Sequence, residues 1–307
     1  ANKRFDEYGN DKIVGTNGFY AMKAHWSEHP DRDETWAETE KSRIGEERFR
    51  REHECEFLIF DETLISSLVL ADMEGVAPVE TTGQVRWFKR PTPGNTYLTS
   101  LDPSMGTGGD YAAIQVFELP TFEQVAEWHH NQTPMNQQVR ILQGINKHIH
   151  DTIMEKDSSA TPQIFYSMEN NSIGEAALMR VMDIGEENIM GMFLSEPIRK
   201  GHRRKFRRGF NTTAKHKIDA CTKFKELVEN DKMKINSQLL ISELKDFVAS
   251  GMSYNAKPGQ HDDLVSACLL MTRMMKVLAD FDPKIFEKWT DRTSQITPMP
   301  IFGSFTG

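Results

Sequence analysis

The sequence has few cysteines and no long apolar run, and each of these absences excludes a class of protein. Its three cysteines, Cys55, Cys221 and Cys268, lie far apart and form no CxxC pair. This argues against a disulfide framework or a cysteine-rich zinc site and favours a reducing compartment. No stretch approaches the roughly 18 consecutive apolar residues that a membrane span needs. Residues 1–7 lack the apolar region of a signal peptide, so we expect no membrane association and no secretion.

Positive charge is also scarce. The chain has 37 Lys and Arg against 45 Asp and Glu, which gives a net charge of −8. An acidic chain does not by itself indicate nucleic-acid binding, so such a function would depend on a local basic patch. Hydrophobic residues make up 38% of the 307 residues, enough for a packed core and too many for a wholly disordered chain.

Changes in composition and hydrophobic periodicity along the chain predict three regions. Residues 1–56 are polar and helical in pattern and residues 57–90 are mixed, with apolar runs, and we interpret 1–90 together as a short helical segment and linker. Residues 91–280 contain the periodic apolar segments of a folded domain. Residues 281–307 are Pro-rich and weakly patterned, and we expect a C-terminal tail there.

Hydrophobic periodicity predicts an α/β domain after residue 95. Predicted strands cover 96–101, 111–119, 122–129, 164–168 and 189–193, and predicted helices cover 135–155, 172–181, 215–228, 241–248 and 262–278. Three antiparallel strands followed by alternating helix and strand are typical of a mixed sheet with helices on both faces.

Three acidic residues occupy the ends of these elements. Asp102 ends the first predicted strand, Glu169 ends the fourth, and Asp263 lies at the start of the last helix. If the first and fourth strands are parallel neighbours, their carboxylates emerge at the same edge of the sheet. Carboxylates at such range repel each other, so a divalent cation is the natural partner. Oxygen ligands without a Cys or His cluster favour Mg²⁺ or Mn²⁺ over Zn²⁺.

This arrangement suits phosphodiester hydrolysis by two metal ions, with Asp102 bridging both ions. The glycine-rich turn at 106–109 would let a phosphate backbone approach closely. Asp110 and Asp262 are further candidate ligands, and His261 is a candidate for orienting a water or a phosphate. A structural interpretation of the same residues stays open, because an Asp before Pro is often a turn residue and an Asp pair at a helix start is often a cap.

One segment stands out against the acidic background. Residues 199–208, here called the basic segment, contain seven Lys and Arg in ten positions and no acid. Such a strip binds phosphates with strong salt dependence, although a solvated charged loop has the same composition. The candidate DNA-binding side chains are Arg199, Lys200, Arg203, Arg204, Lys205, Arg207 and Arg208. The histidines His129 and His130, in contrast, are interpreted as surface residues.

Four motifs in this order resemble the nuclease domain of the large terminase subunit of tailed bacteriophages. They are LTSLDPS at 98–104, GDYAA at 109–113, YSMENNSIG at 166–174 and QHDDLV at 260–265. The resemblance covers roughly residues 95–280 and is strongest to the myovirus type, with contractile tails. Residues 20–70, with HPDRD at 29–33 and FRREHECEF at 49–57, resemble the segment that closes the motor ATPase domain of the same proteins.

The resemblance implies a ribonuclease-H-like fold and an endonuclease that cuts concatemeric viral DNA during packaging. By motif, the family's metal-binding acids fall on Asp102, Glu169 and Asp263, and two Mg²⁺ or Mn²⁺ ions are implied per site. The implied partners are double-stranded DNA, the portal protein and the small terminase subunit, and the implied location is the host cytoplasm during virion assembly. No GxxxxGK[ST] loop occurs in the sequence, so we expect no ATPase activity and interpret the chain as a C-terminal fragment.

Two alternatives remain open. The chain could be a non-catalytic module that clamps DNA and docks on the portal. A strand-transfer core of the recombinase or transposase type shares the fold, but the sequence contains no obvious module for recognising DNA ends.

Overall fold

A computed structural model describes residues 2–5, 11–14, 25–54, 62–197 and 208–281. The chain forms two compact units, residues 1–60 and residues 61–307. The domain boundary that the sequence analysis places after residue 90 stays a prediction. The structure adds that residues 80–87 form strands of the main sheet, which the sequence pattern did not indicate.

The first unit combines a hairpin with two helices. Strands β1 (Asn2–Phe5) and β2 (Asp11–Val14) pair antiparallel. Helices α1 (Glu34–Ile44) and α2 (Glu46–His53) meet at Gly45, whose φ of +85° suits glycine. The helical expectation is therefore correct for 34–53 and wrong for β1 and β2, because four-residue strands are too short to show a period of two.

The second unit is built on a mixed seven-stranded sheet. Its strands are β3 (Glu80–Thr82), β4 (Val85–Trp87), β5 (Thr96–Asp102), β6 (Ala112–Leu119), β7 (Glu123–His130), β8 (Gln163–Met168) and β9 (Met192–Phe193). Their order is β3-β4-β7-β6-β5-β8-β9. Strands β5 and β8 are parallel neighbours, with Leu101 opposite Met168, so the condition for bringing their two carboxylates to one edge is met.

Helices cover both faces of this sheet, which confirms the predicted architecture. They are α3 (Ser67–Asp72), α4 (Met135–Lys156), α5 (Ser172–Ile184), α6 (Ala214–Glu229), α7 (Gln238–Asp246) and α8 (Asp263–Phe281). Leu142 of α4 and Val181 of α5 share one buried core with Tyr97 and Tyr166 of the sheet. On the opposite face, the hydroxyl of Ser100 donates a hydrogen bond of 2.8 Å to the carbonyl of Ala267 in α8.

Two sequence-based elements need correction. The helix predicted over 241–248 ends at Asp246, and a hairpin of β10 (Phe247–Ser250) and β11 (Ser253–Ala256) follows it. Gly251, with φ of +61°, provides the turn of this hairpin. The strand predicted over 189–193 shrinks to Met192–Phe193, after a short 3-10 helix at Glu186–Asn188. Among the described residues, no helix is long and apolar enough to cross a bilayer.

Candidate active site

Three strands end at the same edge of the sheet, here called the carboxyl edge. Strands β5 and β8 are parallel, and β7 runs in the same direction because β6 is antiparallel to both β5 and β7. Asp102 is the last residue of β5, Glu169 follows β8, and His129 lies next to the end of β7. The topology thus brings two carboxylates and an imidazole to one edge.

The same three residues also share one face of the sheet. Side chains alternate along a strand, so Asp102 projects to the same side as Ser100, which contacts α8. His129 has the same parity as Glu127, whose Oε1 accepts a 2.5 Å hydrogen bond from Ser237 Oγ just before α7. Glu169 follows Met168, which packs in the core with α4 and α5, so Glu169 points away from that core. The candidate active-site side chains therefore lie on the face of the sheet that α7 and α8 cover.

Asp102 and Glu169 form a close carboxyl pair. Burial and the neighbouring Glu169 charge and hydrogen bond raise the pKa of Asp102 well above its usual range, and Asp263 and Asp262 raise it further. A partly buried acid surrounded by acids binds a proton or a cation, because either one relieves the repulsion between the carboxylates. The predicted convergence of these two strand ends is thus present in the structure.

The turn after β8 holds Glu169 in place. Asn171 donates a 3.1 Å hydrogen bond from Nδ2 to Glu169 Oε2. Its Oδ1 accepts from the backbone N–H groups of Ile173 and Gly174 and so caps α5. A Cβ at Gly174 would collide with the carbonyl oxygen of Glu169, so only glycine permits this close turn.

Asp263 starts α8 and lies close enough to raise the pKa of Asp102. Burial, and then the neighbouring Asp262, raise the pKa of Asp263 itself to about 6, while His261 and the backbone N–H of Tyr111 oppose this rise. His261 Nδ1 lies 3.6 Å from Asp263 Oδ2. Within the described residues, Asp263 Oδ2 is buried and has no hydrogen-bond partner. An orphaned carboxylate oxygen among other acids fits a divalent cation.

The two weaker candidates differ in position. Asp110 is exposed, and its charge adds to the raised pKa of Asp263. Asp262 Oδ2 lies 3.8 Å from Lys217 Nζ on α6. Asp110 and Asp262 therefore belong to the electrostatic surroundings of Asp263, and their role as ligands stays a prediction.

Sequence reasoning missed two residues of this region, His129 and Glu243. The ligand atoms of His129, Glu243 and Asp263 all lie within 4.8 Å of one another. The interpretation of His129 as a surface residue is wrong, because its side chain is only 13% exposed. Burial lowers the pKa of His129 to about 4 and raises that of Glu243 to about 9. No local pattern distinguishes His129 from the adjacent His130 on β7, and Glu243 lies within a helix, so neither residue gives a clear signal in the sequence alone.

A cavity of about 200 Å³ opens beside the carboxyl pair. Asp102 and Glu169 line it together with His216, Lys217 and Arg273 from α6 and α8. A phosphate entering here would meet acids on one side and cations on the other. The cavity is thus suited to a metal ion and an anionic substrate at the same time.

The basic segment lies almost entirely outside the described residues, which include only Arg208 of the predicted DNA contacts. Arg208 forms an ion pair with Glu186, and its carbonyl accepts a 2.7 Å hydrogen bond from Asn170 Nδ2. The backbone N–H of Glu196 donates to the carbonyl of Gly209 at 3.2 Å, so the two flanks of the segment lie together.

The same flank is joined to the strand end that carries Glu169. Asn170 donates its backbone N–H to the carbonyl of Phe210 at 2.7 Å, and Phe210 forms a bridge with Glu169. Arg273 of α8 also binds this flank through Glu196 and through Asn211 O at 3.1 Å. The base of the basic segment is therefore anchored next to the carboxyl edge.

Comparison with known proteins agrees with this architecture. The fold is similar to the crystal structure of the large terminase nuclease from thermophilic phage G20c, with a TM-score of 0.50 and 17% identity over 68% of this chain and 96% of that one. A structure of the G20c nuclease with bound magnesium gives the same score and identity over 69% and 96%. The family described as Terminase RNaseH-like domain matches residues 99–274, more than half of the sequence. The chain therefore belongs to the terminase RNaseH-like domain family.

Proposed function

We propose that this chain is a divalent-metal-dependent endonuclease that cuts double-stranded viral DNA during genome packaging. The observation that carries the proposal is the meeting of Asp102, Glu169 and the start of α8 at the carboxyl edge, in a chain of the terminase RNaseH-like family. The burial and mutual repulsion of these acids favour cation binding over a purely structural role.

Asp102, Glu169 and Asp263 would hold two Mg²⁺ or Mn²⁺ ions. When bound, the ions lower the pKa of the attacking water and stabilise the leaving oxygen. The solved structures of the G20c nuclease with bound magnesium and with bound cobalt support the expectation of a divalent metal. His261 lies beside Asp263 with its side chain 46% exposed, a position suited to orienting a water or a phosphate.

The basic segment would hold the duplex. Its flank at Phe210 is bonded to the strand end that carries Glu169, so DNA bound there would lie close to the carboxylates. Lysine and arginine contacts to phosphates position DNA without reading its sequence, which suits cutting with little sequence preference.

The biological setting follows from the motif resemblance. We infer that the chain represents a myovirus-type terminase and acts in the host cytoplasm during virion assembly. We also infer that it works with the portal protein and the small terminase subunit.

Incubation with supercoiled plasmid and Mg²⁺ or Mn²⁺, with and without chelator, tests the proposal. We expect nicking and linearisation that the chelator stops. Asp102→Asn, Glu169→Gln and Asp263→Asn should each lower the rate by at least about 100-fold, because each removes a carboxylate that would hold the metal ions, whose positive charge stabilises the transition state. The control Glu175→Gln, an exposed acid of α5, should cut normally. Metal-dependent binding without cutting by the unaltered protein would instead favour a DNA-clamping and portal-docking module.

A further inference from the structure

We propose that His129, Glu243 and Asp263 form a metal site that takes Mn²⁺ in preference to Mg²⁺. Among the described residues, this set has its donor atoms within 4.8 Å of one another. His129 and Glu243 are not among the proposed ligands of the nuclease ions. Asp263 is common to this site and to the nuclease centre that contains Asp102 and Glu169. One nitrogen and two carboxylate oxygens form a mixed donor set, and imidazole nitrogen selects transition metals over magnesium.

The distances suit a single ion. His129 Nε2 lies 3.7 Å from Glu243 Oε1. Two donors that are each about 2.1 Å from one ion lie roughly 3–4.2 Å apart. The pair is thus too far apart for a hydrogen bond and well spaced for shared coordination.

Two of the three donors have no hydrogen-bond partner among the described residues. His129 Nε2 and Asp263 Oδ2 are both buried and make no hydrogen bond within that part of the chain. Buried polar atoms without a partner are costly, and an ion between His129 and Asp263 would remove this penalty for both atoms.

Neighbouring groups already orient the first two ligands. The His129 ring stacks on Tyr111, with centroids 4.1 Å apart and planes 18° apart. Glu243 Oε2 accepts a 3.1 Å hydrogen bond from the backbone N–H of Val265 and so caps α8. The backbone N–H of Leu264 also interacts with this carboxylate. These capping contacts fix the position of Glu243, and its Oε1 lies 3.7 Å from His129 Nε2.

Electron spin-echo envelope modulation of bound Mn²⁺ tests the site without measuring cutting, because it detects a coordinated imidazole nitrogen. We expect nitrogen modulation in the unaltered protein and its loss in His129→Ala. His130→Ala is the matched control, because His130 lies on the other face of β7 and bonds Thr133 Oγ1 at 2.7 Å. The modulation should persist in this control and in the presence of equimolar Mg²⁺.

Two further variants separate this site from the proposed nuclease centre. Glu243→Gln should weaken Mn²⁺ binding at this position at least about tenfold. The double variant Asp102→Asn/Glu169→Gln should keep the nitrogen modulation, even though it no longer cuts. His129→Gln repeats the test with a polar side chain if His129→Ala does not fold.

Several results would overturn the site: absence of nitrogen modulation in the unaltered protein, its persistence in the His129 variants, or its loss in the double variant. Displacement of the nitrogen-coupled ion by equimolar Mg²⁺ would refute the stated preference. None of these results would alter the plasmid-cutting test, so failure of this site and failure of the nuclease proposal are distinguishable.

Discussion

At the scale of single residues, the carboxyl edge concentrates buried acids that oppose one another. Asp102 lies beside Glu169, and Asp263 carries a buried oxygen without a partner among the described residues. Such groups destabilise the metal-free protein, and cation binding offsets this cost. Without metal, the unaltered protein is therefore expected to be less stable than a variant in which one of these acids is replaced by its uncharged amide.

Asp102→Asn tests this expectation in the presence of chelator. Because folding raises the pKa of Asp102 above its ordinary 3.8, the folded state binds this proton more tightly than the unfolded state. The resulting stabilisation is complete below that value and is lost as the pH rises through the folded pKa. The asparagine variant avoids this loss, so its melting temperature should exceed that of the unaltered protein by about 3 °C or more near neutral pH.

Thermal melts at pH values between about 4 and 8 check the sign. The difference should be smallest at acid pH and should grow as the pH rises. Mn²⁺ should raise the melting temperature of the unaltered protein more than that of the variant. A variant that is less stable at neutral pH would contradict the account.

The sequence correctly predicts the position of a side chain where that side chain lies at the end of an element. Asp102 and Glu169 are recognisable because a carboxylate follows an apolar run. This pattern does not identify His129, because His130 follows it directly. Only the pairing of β7 with β6 shows which of the two histidines points toward α8. Glu243 is separated from Asp263 by a hairpin, so its approach to Asp263 is a tertiary contact that no local pattern contains.

At the scale of elements, the turn from β8 into α5 is the most constrained part of the site. Gly174 lies against the carbonyl of Glu169, and Asn171 both caps α5 and binds the Glu169 carboxylate. The position of Glu169 therefore depends on two uncharged residues, Asn171 and Gly174.

Gly174→Ala should lower plasmid cutting at least about tenfold, because a misplaced catalytic group loses much of its effect. The matched control is Gly144→Ala in α4, where an added Cβ meets nothing within 4 Å. This control should cut normally and gain about 0.5–1 kcal/mol of stability from better helix propensity. Steady-state cutting rates and thermal melts of both variants check the pair, and normal cutting by Gly174→Ala would contradict the role given to the turn.

Element prediction was accurate for long periodic segments and poor for short ones. Helix α4 and strands β5 to β8 follow their patterns, because each buries a continuous apolar face. Strands β3 and β4 have three residues each and were missed. The helix predicted over 241–248 includes the first two residues of the β10–β11 hairpin, because the apolar spacing of α7 continues into Phe247 and Val248.

At the scale of the whole molecule, charge is distributed unevenly. The chain carries a net charge of −8, yet the basic segment holds seven cations in ten positions. A net negative charge repels DNA, so binding is expected to be directed to the basic segment.

Reversing Arg203, Arg204 and Arg207 to Glu should weaken DNA binding and flatten its salt dependence. Each lost phosphate contact lowers the slope of log affinity against log salt by about 0.9. Reversal of the exposed Lys147 on α4 is the control and should leave the slope unchanged. Fluorescence anisotropy across a salt series measures both quantities, and an unaltered slope in the triple variant would remove the segment from the account.

Anomalous diffraction from crystals soaked in Mn²⁺ tests the central claim most directly, because it locates the ions without reference to activity. The account predicts anomalous peaks at the carboxyl edge, within coordination distance of Asp102, Glu169 and Asp263. Peaks only at other sites, or the three carboxylates turned to separate faces in the crystal, would contradict it.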